Sequence, residues 1–114
     1  MMMKRKSKKN TKRKNEFRYH AIIIIIGRKK KKINHPAYIW QARGNIYDYH
    51  SITHSNKVKG ITLKPLRQNP NPLDKREAFY DVDSKADVKS NFGRKRKGWK
   101  LHPSDQQEIH ENKK

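Results

Sequence analysis

The chain has 114 residues, with 30 Lys and Arg against 10 Asp and Glu, and a formal net charge of +20. It contains no cysteine, which excludes a disulfide framework, a thiolate zinc site and a thiol nucleophile, and it has no apolar run of the roughly 20 residues that cross a membrane as a helix. We therefore expect a soluble, cytoplasmic protein of one small domain that needs no cofactor and binds a polyanion rather than a membrane.

Residues 1–16 are predicted to form a disordered basic arm. After three methionines, residues 4–15 contain no apolar side chain, so burial cannot offset the entropy lost when this segment becomes ordered. The bases of the arm that we expect to bind nucleic acid are Lys4, Arg5, Lys6, Lys12, Arg13 and Lys14. A solubilising tail and a nuclear import signal are the alternative interpretations of this composition.

Five consecutive isoleucines at residues 22–26 predict a β-strand, because β-branched side chains favour extended backbone. The run does not alternate with polar residues, so we expect a central strand that is covered on both faces. Five bases follow at once: Arg28, Lys29, Lys30, Lys31 and Lys32. They either protect the apolar strand from aggregation or bind phosphates, and the sequence leaves both roles open.

The middle of the chain predicts a hairpin and two further strands. Residues 37–41 are apolar and aromatic after Pro36, Gly44 and Asn45 suit a turn, and residues 46–53 alternate. Tyr47 and Tyr49 share one face of that strand with Ser51 and Thr53, and we expect both rings to lie exposed beside a binding groove. Residues 61–66 and 78–82 predict two more strands, and residues 69–72 an extended connection.

The last third of the chain changes the sign of its charge twice. Residues 74–87 hold five acids against three bases and are predicted to form a solvated loop. A second basic cluster follows beside Trp99, and its members are Arg94, Lys95, Arg96 and Lys97. Ser104 and Gln107 have the spacing of a capping box and predict the start of a short helix.

These elements indicate a mainly β protein. We expect a small twisted sheet or an SH3-like, partly open β-barrel over residues 17–103, preceded by the disordered arm. A short C-terminal helix and tail occupy residues 104–114.

His35, Thr53 and His54 are the candidate catalytic residues. Cleavage of RNA without a metal needs a base, an acid and a cation that stabilises the phosphorane, and these two imidazoles with Arg43 or a lysine would supply them. Ordinary turn-forming polar residues are the alternative interpretation. No metal site is expected, because His50 and His54 on one strand stand about 13 Å apart at ~3.3 Å per residue.

The order of motifs resembles the MazF/PemK-like toxin family. His35-Pro36 opens an apolar strand, a turn follows, and the next strand ends in Thr53-His54-Ser55. The resemblance covers roughly residues 33–66 and implies a small SH3-like barrel that cleaves RNA, forms a dimer and is inhibited by a protein antitoxin. It places catalytic functions at His35 and Thr53, although the family has arginine where this chain has His35.

Three hypotheses therefore remain open. The first is a small RNA-binding β protein that acts as an endoribonuclease, and the second is a non-enzymatic nucleic-acid-binding accessory protein. The third is an inhibitor that occupies the nucleic-acid channel of a partner nuclease. All three predict affinity for a polyanion that falls steeply with salt. The expected partner is nucleic acid, with RNA favoured over DNA, bound through the basic residues named above together with Arg43, Tyr47 and Tyr49.

Overall fold

Two long strands, β1 (Thr11–Ile26) and β2 (Lys29–Arg43), form an antiparallel hairpin that dominates the computed structural model of the chain. The structure describes residues 11–111 and Lys113. The hairpin closes through Gly27 and Arg28, and Gly27 has a φ of 65°. The favoured two-residue hairpin turns require a positive φ at their first residue, and glycine adopts this φ without steric cost.

The other strands pair outward from β2. A second hairpin, turned by Gly44 with a φ of 54°, joins β2 to β3 (Ile46–Thr53). The remaining elements in chain order are β4 (Leu63–Pro65), β5 (Phe79–Asp81), β6 (Lys85–Val88), a 3-10 helix (Lys89–Asn91) and α1 (Pro103–Glu111). One end of β3 pairs with β5, which pairs with β4, and the other end pairs with β6. The result is one open antiparallel sheet.

The prediction of a mainly β fold with a short C-terminal helix is confirmed, but details of the helix differ. It begins at Pro103, and His102 rather than Ser104 caps it: the ring Nδ1 of His102 accepts from the Ser104 N–H at 3.1 Å. Both carboxylate oxygens of Asp105 accept from the backbone N–H of Arg67 instead. This contact anchors the start of α1 to the chain after β4.

The predicted disordered arm is wrong from Thr11 onward, while residues 1–10 lie outside the described part of the chain. Thr11 pairs with Arg43 and Arg13 pairs with Gln41, so the charged residues from Thr11 onward belong to β1. The backbone ladder with β2 supplies the contacts that the side chains of this segment lack. Glu16, which is buried, adds an ion pair with Arg18 at 2.6 Å.

Apolar side chains cover both faces of the sheet. On one face, Phe17 and Tyr38 pack with α1 and its preceding loop through a cluster that also contains Ile52, Leu66, Ala78, Tyr80, Leu101 and Ile109. On the other face, Ala37 and Ile39 pack with Tyr47, Tyr49 and Phe92. The prediction that Tyr47 and Tyr49 are exposed is therefore wrong, since they are only 8% and 6% exposed. Phe92 packs on both rings and covers the strand face that alternation alone left open.

The isoleucine run forms a strand, as predicted, but not a central one. Residues 22–26 lie at the end of β1, which is an edge strand, and pair only with the lysine-rich start of β2. Ile23, Ile25 and Ile26 are 68%, 69% and 60% exposed. The hairpin extends past the end of β3 here, so Ile22 and Ile24 are only partly buried and the segment lacks the full cover on both faces that the sequence predicted.

Another correction concerns residues 74–87, which are not one solvated loop. They contain β5 and β6, and Asp81 is buried with its carboxylate 2.6 Å from the Lys85 ammonium. Asp87 lies 2.7 Å from the ring of His20. These acids hold β6 against the sheet.

We expect stability to fall in acid through His50. Its Nδ1–H donates to the Asp81 carbonyl at 2.8 Å and its Nε2 accepts from Lys113 at 2.7 Å, and burial lowers the pKa of His50 from 6.5 to about 4. Between these two values the unfolded chain binds more protons than the folded chain, so on the order of 3 kcal/mol is lost as pH falls from 6.5 to 4.

Urea unfolding of the wild type and His50→Gln between pH 7.5 and pH 4 measures this loss. The variant should be less stable at neutral pH and should lose less stability in acid. His35→Gln, a change at a partly exposed histidine, should follow the wild-type curve. Parallel curves for wild type and His50→Gln would contradict the assignment.

Candidate nucleic-acid interface

Three adjoining cavities form a groove across the sheet. The middle cavity, of about 240 Å³, is lined by Tyr19, Asn34, His35, His54, Arg76 and Trp99 among others. Tyr19 and Asn34 also line a cavity of about 260 Å³ that reaches Lys32. Arg76 also lines a cavity of about 440 Å³ along residues 66–78. We call these three cavities the groove.

The groove brings together two of the three predicted catalytic residues. His35 comes from β2 and His54 from the residue after β3, and both line the middle cavity. Thr53 lies instead in a separate, more apolar cavity of about 220 Å³, which it shares with His35, Ile22 and Leu63. His35 therefore borders both cavities, and Thr53 does not line the groove.

The imidazole of His54 is held on both sides. Its Nδ1–H donates to the Glu77 carbonyl at 3.2 Å, and its Nε2 lies 3.3 Å from a carboxylate oxygen of Asp74. Arg76 binds the same carboxylate through two contacts of 2.8 and 3.0 Å, and these hydrogen bonds hold the pKa of Asp74 well below its usual range. Each ring nitrogen of His54 thus lies within 3.3 Å of an oxygen of Asp74 or Glu77, and these contacts fix the orientation of the ring.

The loop that carries Asp74 and Arg76 is built from side-chain turns. Asn69 accepts from the Asn71 N–H at 3.0 Å and donates to the Arg76 carbonyl at 3.1 Å, while Asn71 accepts from the Leu73 N–H at 3.0 Å. Such bonds let asparagine fix a turn that the backbone alone leaves open. The segment predicted as an extended connection is therefore a compact loop, and it forms one wall of the groove.

Two aromatic rings and one guanidinium stand at the other wall. Tyr19 and Trp99 meet edge to face with centroids 5.7 Å apart. The Arg96 guanidinium lies over both rings, 5.4 Å from Tyr19 and 5.8 Å from Trp99. The backbone holds this arrangement, because the Arg96 N–H donates to the Phe17 carbonyl at 2.8 Å along the outer edge of β1.

Several predicted binding residues lie away from the groove. Arg43 is eight residues from His35 on β2, about 26 Å at ~3.3 Å per residue, and forms a two-bond ion pair with Asp48. It therefore cannot be the cation beside His35, which corrects the sequence-based assignment. Arg13 lies over the Trp40 ring at 6.0 Å, Lys12 and Lys14 lie on the same strand, and Lys4, Arg5 and Lys6 fall outside the described residues.

Tyr19 and Arg76 line the groove although no sequence pattern predicted them there. The basic residue Arg18 beside Tyr19 in the sequence was the signal that could have indicated its position, since aromatic rings beside bases are typical of nucleic-acid-binding surfaces. No local pattern marked Arg76, because its position depends on the asparagine turns. Only the fold shows that residues 19, 76 and 99 share a surface.

Comparisons with protein-family models, curated proteins and solved structures gave no match to this chain. The resemblance to the MazF/PemK-like family therefore remains a prediction. No helix in the described part of the chain is long and apolar enough to span a membrane. Over residues 11–111, no three His, Asp or Glu side chains lie close enough together to hold a metal ion.

We expect Asn69→Ala to loosen this wall of the groove, because the asparagine links the two ends of the loop. Hydrogen–deuterium exchange should become faster at residues 70–76 and remain unchanged in β2. Asn56→Ala, at an exposed loop residue elsewhere, is the matched control. Unchanged exchange at residues 70–76 would show that Asn69 does not hold the loop.

Proposed function

We propose that the protein binds single-stranded nucleic acid along the groove, and that its natural ligand is RNA. The observation that carries the proposal is the Tyr19–Trp99 ring pair under the Arg96 guanidinium at the groove wall. Aromatic rings stack on unpaired bases and arginine binds phosphate or stacks on a base. A duplex hides its base faces, so this surface suits a single strand.

The charges around the groove support the same ligand. Lys32 lines the groove at one end and follows the other bases of residues 28–31 along the chain, while residues 93–96 run along the outer edge of β1, where Arg96 lies over the Tyr19 ring. All of residues 28–31 and 94–97 are exposed. A strand laid along the groove would therefore meet bases at one end and along one wall.

RNA is preferred to DNA in this proposal for two reasons. Asn34 lines the groove and is exposed, and an amide of this kind can bond to a ribose 2′-hydroxyl, which distinguishes RNA from DNA. The resemblance to the MazF/PemK-like family points the same way. A protein antitoxin or a nuclease partner remains a prediction.

Binding should fall steeply with salt and depend on the groove. If ~6 to 10 phosphates are neutralised, affinity should drop by about 10³ to 10⁵ between 50 and 200 mM salt. Arg96→Ala and Lys32→Ala should each weaken binding and reduce the slope of log affinity against log salt by about one. Fluorescence anisotropy with labelled single-stranded RNA measures both quantities.

Lys57→Ala is the matched control, because Lys57 is exposed and lies outside the residues that line the groove. It should leave affinity and slope unchanged. Equal losses in Arg96→Ala, Lys32→Ala and Lys57→Ala would show a diffuse attraction and would overturn the groove as the binding site. The same titration with single-stranded DNA of matching sequence tests the preference for RNA.

Cleavage of the bound strand is a second candidate function, favoured by the meeting of His35 and His54 in one cavity. In this arrangement His35 is the better base, because it forms no side-chain hydrogen bond or ion pair with any described residue, whereas His54 is held by Glu77 and Asp74. The Nε2 of His54 becomes available to the bound strand once Asp74 yields its place.

If the protein is a nuclease, end-labelled RNA should be cut by the wild type and survive with His35→Ala, at unchanged affinity. Asp74→Asn should retain cleavage, since the carboxylate that it removes contacts His54 and Arg76 but not the proposed base His35. RNA that stays intact while it is tightly bound by the wild type would leave binding as the function. Cleavage that persists equally in His35→Ala would point to a contaminating nuclease.

A further inference from the structure

At the end of the β1–β2 hairpin, the isoleucines lie on β1 and the lysines lie on β2. Residues 22–26 of β1 are all isoleucine, and they pair with Ile33 and then with four lysines of β2. Lysine along an edge is a common protection against strand pairing, whereas a flat apolar edge invites it. The lysine edge is therefore protected and the isoleucine edge is not.

The isoleucine edge presents free backbone hydrogen-bonding groups. The carbonyls of Phe17 and Tyr19 accept from Arg96 and Gly93 on the outer side of β1, and pairing is regular from Glu16 to Ile26. Because backbone direction repeats every second residue, the N–H and C=O of Ile23 and Ile25 also point outward. No described residue pairs with this part of the edge.

We propose that this edge is the interface of a homodimer in which β1 pairs with β1 of a second copy. A two-fold axis at Ile24 places Ile23 opposite Ile25 of the second copy, and the reverse, so that both pairs exchange backbone hydrogen bonds. Every facing side chain is then isoleucine, and β-branched pairs of this kind stabilise antiparallel strands. The arrangement is self-complementary, as a two-fold interface must be.

The charges favour β1 of a second copy, rather than its lysine-rich strand β2, as the partner of the isoleucine edge. In the four-stranded ribbon the order is β2, β1, β1 and β2, so the two lysine strands are outermost. They lie about 14 Å apart at ~4.8 Å per strand, which exceeds the Debye length of about 8 Å at physiological salt. Repulsion between the lysines is therefore largely screened, while the exposed isoleucines become covered on one side.

The proposed β1–β1 contact involves few residues, so the dimer that it forms is weak. Five residues from each copy bury less than the roughly 1,600 Å² of a standard interface. We therefore expect a reversible equilibrium between monomer and dimer rather than a permanent dimer. Salt should favour the dimer, because the apolar contact is retained and the repulsion is screened.

Sedimentation equilibrium of the full chain, freed of nucleic acid by nuclease and high salt, tests the proposal from low to high micromolar concentration. The wild type should approach twice the chain mass as concentration rises. Ile25→Pro, which removes one outward N–H, and Ile25→Lys, which places a charge at the seam, should remain monomeric. Ile25→Val should still dimerise.

Lys30→Pro is the matched control, because Lys30 pairs with Ile25 and its N–H points outward on the opposite edge. It introduces proline at the same level of the hairpin and should leave dimerisation intact, with circular dichroism reporting whether each variant folds. A wild type that is monomeric throughout, or equal dimerisation by Ile25→Pro and the wild type, would overturn the proposal. Association that high salt abolishes would also overturn it, and would indicate bridging by bound nucleic acid.

Discussion

The antiparallel ladder between β1 and β2 is the constraint on which the rest of the structure depends. It runs from Thr11 opposite Arg43 to Ile26 opposite Lys29, with one irregularity between Arg13 and Glu16. This register places Phe17 beside Tyr38 in the larger apolar cluster, where their rings lie 5.2 Å apart. The same register sets Tyr19 opposite Pro36, beside the groove. A slip of one residue would move every one of these side chains to the other face.

The acids of the chain act mainly as structural partners, which leaves many bases unpaired. Asp48 holds Arg43, Asp74 holds Arg76, and Asp81 holds Lys85. The three carboxylates are buried or partly buried while the bases that they hold are exposed, and these pairs determine where positive charge remains. The bases at residues 28–32 and 94–97 form no ion pair with an acid in the described part of the chain, and among them Lys32 lines the groove while Arg96 lies over Tyr19. The net charge is thereby concentrated beside the surface proposed to bind RNA.

Local patterns predicted the parts of the fold that depend on local chemistry. The β2–β3 hairpin followed from Gly44 and from the alternation of residues 46–53, and the terminal helix from a polar start before Ile109. The isoleucine run was placed centrally because its composition resembles a buried strand. Its true position depends on β3 ending at Thr53, which leaves the hairpin to project, and no residue within the run reports this. β6 was missed because Lys85–Val88 shows neither an apolar run nor regular alternation.

The candidate site was predictable only in part, for a related reason. Strand ends were expected to gather polar residues, and His35 and His54 do share a cavity. Alternation correctly placed Tyr47 and Tyr49 on one face, but it could not show that Phe92 covers that face. Arg96 reaches Tyr19 because residues 93–96 run along the outer edge of β1. Contacts of this range depend on the complete fold and leave no mark in the local sequence.

The most direct test of the groove as the RNA-binding surface is ultraviolet crosslinking to single-stranded RNA, followed by mass spectrometry of the crosslinked peptides. Tyr19 and Trp99 should carry the nucleotide, because their partly buried rings line the middle cavity of the groove. Trp40 is also partly buried, but it lines none of the three cavities of the groove, so it should carry little. Crosslinks confined to Trp40 or to residues outside the groove, with none at Tyr19 or Trp99, would contradict the proposed interface.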